Sequence, residues 1–192
     1  AIEPTPLPLS PSVSVSAVVT DLPATGWTFL RPGHGWELAF KCGVPCPSHL
    51  AAHAHSDLLS FEIRHQGDWV LSEAGTSVYG NGPTRAYERS GSSHNVLQLG
   101  VKSRCGDVYW VEPVDVWDGF RAGRKAKPCD RSCGLVPNLN NSCFAAGSHN
   151  GFESIGASHH RRVAFIEPNS HHISFEIIDT VLAKSALNVR IW

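Results

Sequence analysis

The sequence predicts an all-β fold, an antiparallel sandwich or barrel, on three observations. Apolar residues recur at the two-residue period of a strand, turn-forming residues interrupt them every few positions, and no amphipathic helix of about a dozen residues can be drawn. The first expected strand covers residues 13–18, where Val13, Val15 and Ala17 alternate with serines. The next is Trp36-Glu37-Leu38-Ala39-Phe40-Lys41, which alternates apolar with polar. Residues 58–63 form a mixed apolar run, and Trp69-Val70-Leu71 follows the turn signal Gln66-Gly67-Asp68. Further strands are expected at 95–99, 108–111, 163–166 and 173–178, with Gly, Pro, Asn and Asp in the gaps. Residues 1–12, carrying Pro4, Pro6, Pro8 and Pro11, read as an extended Pro/Ser-rich linker, which leaves 13–192 as one domain. The stretch 119–141 is basic at first (Arg121, Arg124, Lys125, Lys127) and then rich in Cys, Pro and Asn, so a long loop or insertion is expected there.

At 192 residues the chain is long enough for one domain with a real core. With 42% hydrophobic and 17% charged residues it reads as globular, and a net charge of −1 gives no broad reason to bind nucleic acid or an anionic membrane. Arg161-Arg162 beside His159-His160 is the local basic group that could meet an acidic ligand. No run approaches the ~20 apolar residues of a membrane helix. Ala1-Ile2-Glu3-Pro4 carries no signal peptide and the chain has no methionine, so it reads as a mature or excised fragment. Six cysteines allow fifteen pairings. Cys42/Cys46 and Cys129/Cys133 are spaced four apart; local disulfides or reduced buried thiols are favoured over structural zinc.

The chemistry concentrates in His53-Ala54-His55-Ser56-Asp57, Ser72-Glu73-Ala74-Gly75-Thr76 and Ser93-His94-Asn95. Histidines at i and i+2 share one face of an extended strand, and the pair is expected at a strand entrance. Two imidazoles and one carboxylate suit Zn²⁺ and leave a fourth position open. Asp57 could fix the tautomer of a ligating histidine by accepting its other N–H. A cupin-like barrel is a competing reading, with Glu62 as the carboxylate ligand beside His53, His55 and His94. A sandwich that binds acidic glycans without cleaving them, through Arg85, Arg89 or Arg162, is another.

The ordered set His53-x-His55-x-Asp57-x-Leu59-Ser60-Phe61, then Gly67 through Glu73-x-Gly75-Thr76 to Tyr79, then Arg85-x-Tyr87 and Ser93-His94-Asn95, resembles the heparinase II/III-like polysaccharide lyases. The likeness extends over most of residues 27–180, from Gly33–Gly43 to Gly151-Phe152 and Arg162-Val163-Ala164-Phe165. It implies the C-terminal antiparallel, supersandwich-like β-sandwich of a larger enzyme, cut short at its C-terminal end, whose N-terminal (α/α) toroid this chain lacks.

The implied reaction is β-elimination at a uronic acid of a polysaccharide such as heparan sulfate or alginate, in a periplasmic or secreted setting. By this resemblance His53 faces the substrate as the catalytic histidine, while His55, Glu73 and His94 hold Zn²⁺. Glu73 departs from the family's usual Asp by one methylene. Tyr79, Arg85 and Tyr87 would contact the acidic polysaccharide. The remaining catalytic tyrosine and histidine would belong to the toroid, leaving this chain inactive alone.

Overall fold

A computed structural model describes residues 16–169 and 172–192. The expected linker at 1–12 and residues 13–15 of the first expected strand lie outside them. The described strands are β1 (Val18–Leu22), β2 (Trp27–Gly33), β3 (Trp36–Lys41), β4 (Phe61–His65), β5 (Asp68–Leu71), β6 (Leu97–Lys102), β7 (Val108–Val111), β8 (Val114–Val116), β9 (Ala122–Lys125), β10 (Pro128–Leu135), β11 (Cys143–His149), β12 (Ala157–Asn169), β13 (His172–Ala183) and β14 (Asn188–Ile191). One short helix, α1 (Pro83–Arg89), interrupts them.

Two sheets build the sandwich: β1-β2-β3-β4-β5 and β10-β11-β12-β13, with every pairing antiparallel. A three-stranded sheet β14-β6-β7 and the pair β8-β9 complete the molecule. Tight hairpins set the first sheet. His34 and Gly35 both take positive φ between β2 and β3, as do Gln66 and Gly67 between β4 and β5, matching the twist of antiparallel strands.

Alternation then sends Leu30, Leu38, Phe40, Phe61 and Ile63 inward, where they meet Cys143, Ala145, Val163 and Phe165 of the second sheet. A smaller cluster of Cys46, Ala54, Leu58, Val114 and Ala126 packs under the His53–His55 segment. The chain enters that segment through a close backbone crossing. At Gly26 (φ 77°) a Cβ would overlap the Gly43 Cα; its N–H donates to the Leu22 carbonyl at 2.9 Å, and its carbonyl accepts the Cys42 N–H at 2.8 Å.

The expected sandwich stands, with local changes, the first strand among them: β1 begins at Val18, the last residue of the 13–18 run expected for it. The loop or insertion expected at 119–141 instead holds β9 and β10. Polar β10 has no apolar alternation to announce it. It is held by its ladder to β11 and by Arg131, which reaches Asp21, the Trp27 carbonyl and Thr28. Strand β2 is apolar on both faces, with Trp27 and Phe29 outward and Leu30 inward, so period two is faint there. His53 and His55 do not share a strand face either. Residues Ala51–His53 form a single 3₁₀ turn and β4 begins only at Phe61.

Candidate functional site

Buried arginines of α1 shape the His53–His55 segment. Arg89, fully buried, donates from Nε to the Ala54 carbonyl at 2.9 Å and from Nη2 to the Ala51 carbonyl at 2.8 Å, while Nη1 reaches the Asp118 carbonyl. Arg85, 1% exposed, donates from Nη2 to the Ala52 carbonyl at 2.9 Å. Three carbonyls in four residues are thereby drawn toward the helix, which bends the segment out of any ladder. His53 is left exposed, with its ring 6.5 Å from that of Tyr79, and His55 is turned inward.

The inward histidine opens a row of hydrogen bonds. His55 Nδ1 lies 3.3 Å from His94 Nε2, and His94 Nδ1 lies 2.8 Å from Glu73 Oε2. The other Glu73 oxygen accepts the Asn95 N–H at 3.1 Å. At the opposite end, Arg85 Nη1 approaches His55 Nε2 at 3.3 Å and donates to Thr76 Oγ1 at 3.2 Å. A guanidinium only donates and a carboxylate only accepts, so the row has one direction: Arg85 to His55, His55 to His94, His94 to Glu73. Glu73 itself is placed by its own N–H on Glu62 Oε1 at 3.2 Å.

Electrostatics separate the two imidazoles. Burial lowers the His55 pKa to about 4; the Asp57 charge opposes this, and the charges of His94 and Arg85 reinforce it. Burial also disfavours charge on His94, but the Glu73 hydrogen bond and the charges of Glu73 and Asp57 outweigh it, so its pKa is raised. Asp57 pairs with Lys41 through Oδ2, and its buried Oδ1 has no partner.

The site residues expected from sequence fall into three groups. His55, His94 and Glu73 are brought together, and His53 stands beside them on the surface. Tyr79 and Tyr87 are 59% and 53% exposed, open to a ligand. Arg85 is buried, with its guanidinium 5.1 Å from the Tyr79 ring centroid, so it backs the site from within. Arg89 is a backbone clamp, which overturns its reading as a glycan contact. Arg161, expected as part of a basic surface group, is 1% exposed. It binds Asp179 through Nε and Nη2 at 2.8 and 2.9 Å, with Nη1 on the Leu59 carbonyl at 3.0 Å and on the Asn95 carbonyl. Its inward direction follows from β12 register, where Arg161 alternates with Arg162. Among the described residues Glu62 has no hydrogen bond to a histidine and accepts the Glu73 N–H instead, which removes the cupin arrangement.

The donor set bears on zinc in two ways. Two nitrogen ligands of a tetrahedral Zn²⁺ stand ~3.3 Å apart, the separation of His55 Nδ1 and His94 Nε2. Glu73, however, bonds the far nitrogen of His94, and among the described residues no group of three or more His, Cys, Asp or Glu side chains stands in a metal-holding arrangement. The spacing is that of two zinc ligands, but the direction of the row leaves a proton on His55 Nδ1, which that nitrogen would have to lose before ligating, and the carboxylate orients His94.

A family model described as heparinase II/III-like, C-terminal, matches residues 15–191. No curated protein matches the chain.

Proposed function

Because the chain belongs to the heparinase II/III-like family, as its C-terminal domain, we propose that residues 13–192 form one wall of a lyase active site that cuts a uronic-acid-containing polysaccharide by β-elimination. The observation that carries this reading is the exposed His53 beside the hydrogen-bonded row of half-buried His55, buried His94 and half-buried Glu73. β-Elimination requires the uronate carboxylate to be neutralised, the C5 proton to be abstracted and the C4 oxygen to leave with a proton. His53 is free on the surface to face that sugar, Tyr79 offers an exposed ring and hydroxyl next to it, and Tyr87 is exposed on α1. Arg85 stiffens the wall by holding the Ala52 carbonyl, Thr76 and His55 together. A toroidal N-terminal domain of the same protein would form the facing wall and supply the remaining acid–base groups.

We assign His55, His94 and Glu73 to one Zn²⁺, whose chemistry is to fix its ligands and add positive charge near the substrate carboxylate. For Glu73 to ligate directly, its Oε2 must leave His94 Nδ1. If it stays, it orients His94 as a carboxylate behind a ligating imidazole.

The test uses the parent protein, incubated with heparan sulfate, alginate and related polyuronates while the absorbance of the unsaturated product is followed. Product is expected from at least one of them, and absence of product from all ends the lyase reading. His53→Ala should abolish product and keep bound zinc. His55→Ala should release zinc and lower stability. If both variants lose metal equally, the division of roles is wrong.

A further inference from the structure

We propose that the cavity on the outer face of the five-stranded sheet is an accessory subsite for one uronate residue of an acidic polysaccharide. The identity of the sugar rests on the lyase reading; the site rests on the sheet itself. The cavity measures about 430 Å³, in the range of small-ligand pockets, ~300–1,000 Å³. Strand alternation decides which side chains line it. Leu30, Leu38, Phe40, Phe61 and Ile63 are buried between the sheets, so Trp27, Phe29, Ala39, Glu62 and Arg64 project from the opposite face, into the cavity.

Register makes the hollow. Phe29 of β2, Ala39 of β3 and Glu62 of β4 are direct cross-strand partners, and the single methyl of Ala39 leaves a floor between two larger side chains. Trp27 stands two residues from Phe29 on β2, with the two rings inclined by 25° and their centroids 6.4 Å apart. These half-buried rings give an apolar wall for the C–H face of a pyranose. On the far side Arg64 is exposed and pairs across the ladder with Trp69 of β5. Its Cζ lies 3.6 Å from the Trp69 ring centroid, a stacking contact that holds the guanidinium in place while its N–H groups stay free.

Charge selects the ligand. Glu37 is held by Arg31 Nε at 2.6 Å, and Lys41 by Asp57. Arg64 pairs with no carboxylate among the described residues, so its fork is open to a bidentate anion. Glu62 accepts the Glu73 N–H through Oε1 at 3.2 Å, and its Oε2 takes no hydrogen bond among the same residues. Glu62 and Arg64 are two residues apart on one strand face, ~6.7 Å along β4. A pyranuronate matches both: its carboxylate accepts from Arg64, a hydroxyl at the opposite end of the ring donates to Glu62 Oε2, and its C–H face meets Trp27 and Phe29. A neutral sugar has nothing to pair with the guanidinium charge. A protein partner needs a contact of ~800 Å² a side, which a hollow of this size does not offer. Because Glu62 also holds the Glu73 amide, the cavity adjoins the His55–His94–Glu73 row.

The test titrates the protein with tetrasaccharides of alginate and of unsulfated heparan, and with cellotetraose, while recording the indole N–H resonances of Trp27 and Trp69. At least one acidic tetrasaccharide should shift both together and saturably, with Kd on the order of 1 mM, and cellotetraose should bind at least ~10-fold more weakly. Arg64→Gln, at an exposed position, should weaken the acidic ligand by ~10-fold or more. Ala39→Leu should abolish both shifts by filling the floor. The proposal is overturned if neither acidic tetrasaccharide moves these indoles, if cellotetraose matches them, or if Arg64→Gln binds as the parent does. A concentration-dependent dimer that Ala39→Leu dissolves assigns the face to a second copy and overturns it as well. Shifts here without cleavage by the parent protein end the lyase reading alone; cleavage with both indoles unmoved ends the subsite alone.

Discussion

The molecule contains the same pair of groups twice, a buried histidine on a carboxylate, with opposite outcomes. His94 sits on Glu73 at 2.8 Å and has a raised pKa; His159 sits on Asp179 at 2.7 Å and has a lowered one. Burial disfavours charge on both. The surroundings differ: Arg161, whose fork occupies both oxygens of Asp179, and His160 oppose a proton on His159, whereas Asp57 adds a second favouring charge at His94. Asp179 itself is held well below the usual carboxylate range: burial works against this, and the hydrogen bonds and charges of His159 and Arg161 outweigh it. Glu73 has no such guanidinium, so its charge remains available to His94. A histidine–carboxylate contact therefore does not by itself define a proton site; the third group does.

Arg161→Leu attacks the comparison most directly. It leaves Asp179 buried without its ion partner and frees the carbonyls of Leu59 and Asn95, so a loss of ~3–5 kcal/mol is expected in urea denaturation. The His159 pKa should rise in the same variant if it folds. A pKa that stays low would remove Arg161 as the cause.

Acidification is the next largest effect. His149 titrates near its ordinary value when unfolded and only at about 3 when folded, so between those pH values the unfolded chain binds one more proton. Stability should fall by ~1.4 kcal/mol per pH unit for this residue as pH drops below ~6.5. His159 and His55 are lowered too and add to the slope. Denaturation at stepped pH reads it, and His149→Gln should flatten it by about one proton.

Glu73→Gln sharpens the other half. Loss of the charge-assisted bond to His94 should cost ~1–2 kcal/mol, and NMR titration should show the His94 pKa falling below that of the parent. If it stays raised, Asp57 rather than Glu73 governs that site. The smallest effect is expected from Thr76→Val: its hydroxyl stands 3.5 Å from His55 Nε2, at the limit of a hydrogen bond, and it otherwise accepts one bond from Arg85 Nη1, which also reaches His55 Nε2. Thermal denaturation should move by about 1 kcal/mol equivalent or less.

Much of this was legible in the residues. The alternation in Trp36–Lys41 and the turn at Gln66-Gly67 are local, so they announced the first sheet correctly. His55, Glu73 and His94, spread over forty residues, were grouped by the order of their motifs, and the fold does bring them together. The path of the chain at His53 was not legible, because it depends on Arg85 and Arg89 reaching back more than thirty residues to carbonyls that carry no side-chain signature. Strand β10 was hidden for a similar reason: its polar side chains say loop, and its ladder to β11 decides otherwise. Arg161 looked like surface charge until β12 register turned it inward.

The clamp made by Arg89 has a consequence for motion. Helix α1 spans seven residues, far below the ~12–15 at which an isolated helix holds its shape in water. It persists because its last turn grips the carbonyls of Ala51, Ala54 and Asp118. Helix and histidine-bearing segment therefore open together or not at all. Amide hydrogen exchange of Ala86 and Ser90, whose N–H groups close the helix, should report the same opening free energy as the Ser56 amide, which bonds the Arg89 carbonyl.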